Sequence, residues 1–333
     1  MKAFIKAISY YLPQNTVSNE ELVRAFPEWS VEKIATKIGI SERHIAEEDE
    51  LSSDMAIKAA QKMFMEHNIM PSEIDFIMLC TQSPDYFLPT SACIIQDKLG
   101  APVSAGAIDF NLGCSGFIYG LAMAKGLLFA GIAQNILLLT AETYSKFIHP
   151  GDKSNRTIFG DAAAATLISS EGYASIGEFD LGTDGKGAQN LIVKTGGMRF
   201  KQTNNGGSTD EYGNFISENH LFMNGGEILN FTIDMVPPMV NNILSRNASS
   251  PNEIDLYVFH QANRYMLNHL RKMMMIPEEK FYYCMKNIGN TVSSTIPIAL
   301  YEAIKEEKIK VGSNVLITGF GVGYSWGGTI LKF

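Results

Sequence analysis

Cys114 is the residue of this 333-residue chain best placed to act as a nucleophile. It stands in Asp109-Phe110-Asn111-Leu112-Gly113-Cys114-Ser115-Gly116-Phe117, between an apolar run and an apolar helical stretch. That context predicts a thiol at or next to a helix N-terminus. There the unpaired N–H groups and the positive dipole end favour the thiolate and lower its pKa. Gly113, Ser115 and Gly116 are small enough for a sharp strand-to-helix turn and for close approach of a substrate. Cys80, Cys93 and Cys284 have no such surroundings and read as structural, because free cysteine is among the most buried residue types. The four cysteines form no CxxC pair and no Cys/His cluster, which argues against zinc and against a disulfide framework and fits a reducing cytoplasm.

Three further motifs carry polar groups at the ends of apolar segments. His260 opens His260-Gln261-Ala262-Asn263 directly after an apolar run, where open α/β sheets place their sites. Asn290 lies among small polar residues ahead of a helical stretch, a context that by itself also suits a turn and helix cap. Gly319-Phe320-Gly321-Val322-Gly323 follows another apolar run, and its glycines let backbone N–H groups face a ligand, as an oxyanion site requires. No third glycine and no helix follow it, so dinucleotide binding is rejected.

The elements that must hold these residues recur at half the chain length. Residues 74–79 resemble 254–259, an offset of 254 − 74 = 180, and residues 135–140 resemble 314–318, an offset of 314 − 135 = 179. Each is a short apolar run of the kind that forms a strand buried on both faces. Helical stretches at 54–67, 114–130, 264–275 and 294–306 alternate with them. The pattern predicts an α/β fold of two similar halves, 1–172 with the cysteine and 173–333 with the histidine and asparagine. Residues 12–44, richer in polar and charged side chains, read as an insertion. Residues 195–230, with Gly206-Gly207 and Gly225-Gly226, read as loops packed over a site.

With 46% hydrophobic and 19% charged residues the chain can bury a core, which excludes disorder. A net charge of −8 argues against nucleic-acid backbone binding. The first residues lack the apolar core of a signal peptide, and 117–133, broken by Lys125 and glycines, reads as a buried helix rather than a membrane span. The expectation is a cytoplasmic protein with no membrane partner.

Taken together, the motifs resemble the thiolase superfamily and, within it, the β-ketoacyl-acyl carrier protein synthase III family. The resemblance runs over nearly the whole chain: the segment around Cys114, Phe159-Gly160-Asp161-Ala162-Ala163, residues 223–231, His260 to Asn263, Gly289-Asn290-Thr291 and the ending from Gly319. It implies a duplicated, layered α-β-α-β-α fold and a homodimer. It also implies a decarboxylative Claisen condensation that needs neither metal nor redox cofactor, its substrates being thioesters of CoA or phosphopantetheine. Cys114 would accept an acyl group from acyl-CoA or an acyl carrier protein. The backbone N–H groups of Cys114 and Val322 would form the oxyanion hole, with Val322 where relatives usually have glycine. His260 and Asn290 would donate to the malonyl thioester carbonyl. Asn290 separates this chemistry from thiolases, which use a second cysteine, and from hydroxymethylglutaryl-CoA synthases, which use a glutamate.

The same resemblance implies substrate contacts at Leu88, Asn263, Arg156 and Lys33. Lys33 stands where relatives that favour short acyl-CoA often have a tryptophan, with Trp29 one turn earlier, and Leu88 where a phenylalanine often closes the acyl tunnel across the dimer. Longer or unusual acyl chains are the expectation from Leu88. Docking of the acidic carrier would use Arg264, Arg271 and Lys272, spaced i, i+7, i+8 on one helix. Two other outcomes stay open from the residues: an acyltransferase that forms no carbon–carbon bond, and a catalytically silent partner subunit.

Overall fold

The computed structural model describes residues 2–203, 206–211 and 213–333. Ten strands make one mixed sheet: β1 (Phe4–Tyr11), β2 (Phe76–Cys80), β3 (Gly106–Phe110), β4 (Asn135–Glu142), β5 (Ala162–Ser169), β6 (Ala174–Ile176), β7 (Asp180–Thr183), β8 (Leu256–Phe259), β9 (Asn314–Gly321) and β10 (Ser325–Lys332). Their order is β8-β9-β10-β6-β1-β5-β4-β2-β3, with β7 also paired to β10. Every residue of β5 and β8 is buried, as continuous apolar runs in central strands require.

The internal similarity reappears as pairing. β2 runs parallel to β4 with Phe76 opposite Ile136, and β8 runs parallel to β9 with Leu256 opposite Val315. β4 and β9 then each pair antiparallel with the strand that follows them, β5 and β10. The short β6 bonds to both β1 and β10, so the sheet passes without interruption through the region of residue 172.

The helices run Ser52–His67, Gly116–Phe129, Arg264–Met273 and Thr295–Lys305, within two residues of the expected limits. Phe117, Ile118, Leu121 and Leu128 of one share a core cluster with Ile296, Ala299, Leu300 and Ala303 of another. Helix Gly116–Phe129, apolar except at Lys125 and the Tyr119 hydroxyl, is not buried all round: Met123 and Phe129 are exposed. No helix among the described residues is long and apolar enough to cross a membrane.

One segment gains detail and another changes its reading. The insertion at 12–44 is a folded unit, a hairpin of Asn15–Ser18 with Glu42–Ile45 enclosing helices Asn19–Ala25 and Val31–Ile38. In the stretch 195–230, Gly225-Gly226 is not loop. It opens the 22-residue helix Gly225–Arg246, because the Asn224 side chain accepts the Glu227 N–H and caps it. The rest of that stretch holds the short hairpin Ser208–Thr209 with Phe215–Ile216, and the strand Phe222–Met223, which pairs with Leu191–Ile192 just ahead of the stretch. Asn204, Asn205 and Tyr212, part of the same stretch, lie outside the described residues.

Candidate active site

Cys114 lies between β3 and the helix that begins at Gly116, and is only 6% exposed. The end of β9 presses against it. A Cβ at Gly321 would stand 2.8 Å from its Sγ, and one at Gly319 would stand 2.5 Å from its carbonyl oxygen. Glycine is required at both positions for this contact to exist. The neighbouring Ser115 Oγ lies 2.6 Å from Ser325 Oγ and ties the turn to β10. Backbone N–H groups of Val322 and of Cys114 itself lie near enough to the sulfur to favour its anion.

The expected depression of the thiol pKa is not what this geometry produces. Burial pushes it up to about 12, and the nearby Glu142 carboxylate adds to the rise, against the lowering effect of the two N–H groups. Desolvation of an anion outweighs a helix N-terminus at a site closed to water. The resting nucleophile is therefore a thiol.

His260 follows β8 and takes its place because its own N–H donates to Thr318 O of β9, 2.8 Å away. Its Nδ1 is 2.7 Å from Thr295 Oγ1, at the first residue of helix Thr295–Lys305. Burial drives the imidazole down to about 3, the Val292 carbonyl opposing this only weakly, so the ring is neutral. Asn290 is buried as well. Its Oδ1 accepts the Val292 N–H at 2.9 Å, which fixes the carboxamide with its Nδ2 as the donor side; one Nδ2 contact is a long 3.4 Å to Ala262 O. Val292 adopts φ +54°, a left-handed conformation strained for a β-branched residue. The same residue's carbonyl accepts the Thr295 hydroxyl at 3.0 Å.

Cys114, His260 and Asn290 line one cavity of about 50 Å³, walled by Phe159, Met223, Ile228, Met266 and Phe320. A neutral thiol, a neutral imidazole and an oriented carboxamide can together form a thioester and polarise a second carbonyl without a permanent charge in the pocket.

Residues 108–185 of the chain match the family model for 3-oxoacyl-[acyl-carrier-protein (ACP)] synthase III, and residues 244–333 match its C-terminal model. The β-ketoacyl-[acyl-carrier-protein] synthase III of Clostridium perfringens is 38% identical over 97% of this chain and 96% of its own length. The enzyme of the same name from Caldanaerobacter subterraneus is 34% identical over 97% of this chain and 95% of its own. The chain belongs to the β-ketoacyl-acyl carrier protein synthase III family. A crystal structure of a 3-oxoacyl-(acyl-carrier-protein) synthase III superposes over the full length of both chains with TM-score 0.98 at 46% identity. A priming β-ketosynthase from the R1128 polyketide pathway superposes with TM-score 0.85 at 25% identity, over 99% of this chain and 96% of that one. The fold is thus that of the thiolase superfamily, and the chain is an acyltransferase of the condensing type.

The remaining expected contacts divide. Asn263 lines the reactive cavity, while its side chain caps helix Arg264–Met273 through the Met266 N–H at 2.9 Å. Leu88 is 82% exposed and does not line the cavity; it lies beside the exposed Tyr86 and Phe87. Lys33 sits 5.4 Å over the Trp29 ring, and Arg156 donates to Pro150 O and lines a different cavity. Of the docking residues, Arg264 and Lys272 are exposed, the former stacked 4.9 Å over Tyr283. Arg271 is a correction: its guanidinium is turned inward, donating to Ile276 O at 3.1 Å and pairing with Glu278 at 3.5 Å. It closes the helix end rather than facing solvent.

Sequence reasoning passed over two polar residues that the site uses. Thr295 looks like an ordinary helix-start threonine until the fold brings His260 against it. Glu142 ends an apolar strand and is fully buried; it accepts from Gln82 N–H (3.0 Å), Ser83 Oγ (3.3 Å) and Ser293 Oγ (3.0 Å). Burial, above all, raises its carboxyl to about 8. An acidic residue at the end of such an apolar run was the available signal.

Proposed function

We propose that this chain condenses an acyl thioester with malonyl carried on an acyl carrier protein, through an acyl-Cys114 intermediate. In loading, the Cys114 sulfur attacks the thioester carbonyl, its proton leaves with the departing thiol, and the tetrahedral oxygen rests on the N–H groups of Cys114 and Val322. In condensation, the malonyl C–CO₂ bond breaks and the electron pair passes into an enolate. Its oxygen is held by Asn290 Nδ2 and by His260 Nε2, which carries a proton once the Thr295 hydroxyl turns from Val292 O to donate to Nδ1. The enolate carbon then attacks the acyl carbonyl; the carbon–carbon bond forms as the carbon–sulfur bond breaks, and the sulfur regains a proton. The observation that carries this reading is the presence of all three side chains in one buried cavity.

We further read the acceptor as docking on Arg264 and Lys272, with Arg271 serving only the helix end. Acyl-CoA or an acyl carrier protein brings the primer. We propose a homodimer, for which the edge strand β3 and the exposed Tyr86, Phe87 and Leu88 offer unpaired backbone and apolar surface. The repeated strand pairing supports two halves, 1–172 and 173–333, and four free cysteines suit a reducing cytoplasm.

The test is intact mass after incubation with acyl-CoAs, followed by malonyl carrier protein. Cys114→Ala is expected to give no adduct. Asn290→Ala is expected to load but to release carbon dioxide on the order of a hundredfold more slowly. Condensation by Asn290→Ala at the wild-type rate would remove the role assigned to it. An adduct that only other nucleophiles discharge would favour simple acyl transfer.

A further inference from the structure

A second cavity, about 290 Å³, adjoins the reactive one, and Phe159 belongs to the walls of both. It is amphipathic. Val17, Ile45, Ile148 and Phe159 supply an apolar surface, and Arg43, Lys146 and Arg156 supply three cations, against the single carboxylate of exposed Glu48. Among the described residues none of those cations makes an ion pair, although the chain carries eight such pairs elsewhere and a net charge of −8.

Their hydrogen bonds all go to neutral oxygens. Arg43 donates to Val17 O (3.0 Å), Asn19 Oδ1 (2.9 Å) and Thr157 O (2.9 Å), and its buried Nε has no partner. Lys146 donates to Glu48 O (2.9 Å) and Glu50 O (2.7 Å), and Arg156 to Pro150 O (2.9 Å). Arg43 is 1% exposed and has only the unpaired, more distant carboxylates of Glu42 and Glu21 to offset its charge; a buried cation with no paired anion is costly unless something anionic meets it. The reactive cavity, at about 50 Å³, has room for only a few water-sized groups beside the sulfur. An acyl group longer than that must displace a wall.

We propose that the second cavity receives the far end of the acyl donor, and that it selects donors ending in a carboxylate. The inference rests on the condensing function proposed above and names the substrate class of that site. Phe159, at the boundary, turns aside to join the two spaces. The methylene chain then lies along the apolar surface while the terminal carboxylate meets Lys146, Arg156 and the unpartnered Nε of Arg43. Paired with these donors, the carboxylate forms charge-assisted hydrogen bonds in a partly desolvated site, where they are strongest.

The experiment compares Cys114 loading rates, by intact mass, for glutaryl- and adipyl-CoA against the length-matched valeryl- and hexanoyl-CoA. The expected ratio favours the carboxylate-terminated donors by about tenfold or more, equivalent to about 1.4 kcal/mol. Replacing buried Arg43 risks the fold, so the variants are at exposed Lys146. Lys146→Met is expected to lower the ratio severalfold and Lys146→Arg to preserve it. A ratio at or below one, or a ratio indifferent to Lys146→Met, overturns the proposal while leaving condensation intact. The same pairs as N-acetylcysteamine thioesters, which lack phosphates, must keep the preference; its loss there means that the cations read the phosphates of CoA, and the proposal falls. Absence of any adduct from all donors removes the condensing function and this inference with it.

Discussion

Gly321→Ala puts one methyl group where the nucleophile already is. The added Cβ would stand 2.8 Å from Cys114 Sγ and 2.9 Å from Cys114 Cβ, inside the distance that carbon and sulfur tolerate. Neither side can yield cheaply. β9 is paired on both edges, to β8 and β10, and Cys114 is fixed by Ser115 against Ser325 and by the helix that follows. Overpacking of this kind typically costs about 1–3 kcal/mol, well short of unfolding a domain. Relief by moving the sulfur is felt far more in rate, because a shift of about 1 Å at a reacting atom can cost on the order of a hundredfold. The N–H of Val322, next in the chain, would move with it. The expected result is a folded protein, by far-UV circular dichroism and a melting temperature lowered by a few degrees, whose Cys114 acylation by acetyl-CoA falls about a hundredfold. Acylation at the wild-type rate, with the fold intact, would mean that the close contact between β9 and the sulfur does not set the reactive geometry.

Two further perturbations follow from buried polar groups. Thr295→Val removes the hydroxyl 2.7 Å from His260 Nδ1; condensation by preloaded enzyme should slow by at least about tenfold, Thr295→Ser should restore most of it, and the ¹⁵N shifts of His260 should report a changed tautomer. An unchanged tautomer in Thr295→Val would exclude control by that hydroxyl. Glu142 has its folded pKa raised from 4.5 to about 8, so its contribution to stability is present below the lower value and is lost as pH rises through the higher. Melting curves between about pH 5 and about pH 9 should therefore show wild-type stability declining relative to Glu142→Gln. Parallel curves would place the proton elsewhere.

The three residues that share the cavity could be picked out in the sequence because each ends an apolar strand or precedes a helix, and those boundaries depend on local pattern. The same locality explains the parallel pairs β2–β4 and β8–β9, whose strands are continuous apolar runs. What escaped is set by partners distant in the chain. The Cys114 thiol was expected to be acidic from its helix N-terminus, yet its pKa is decided by burial beneath β9, some two hundred residues away. Arg271 has the right spacing for a docking face, and only the turn through Ile276 and Glu278 reveals that it is already engaged. The importance of Thr295 depends on a ring contributed by another strand.

Val292 has a consequence for how such a site can change. Through its N–H it steadies the carboxamide and through its carbonyl it meets the threonine behind the imidazole, so the two peptide groups joined at one left-handed residue serve two chemical groups at once. Retuning either group alone by altering this backbone is mechanically impractical, since a rotation that helps one displaces the other. An engineer seeking a new acceptor would do better to leave that corner untouched and reshape the opposite wall.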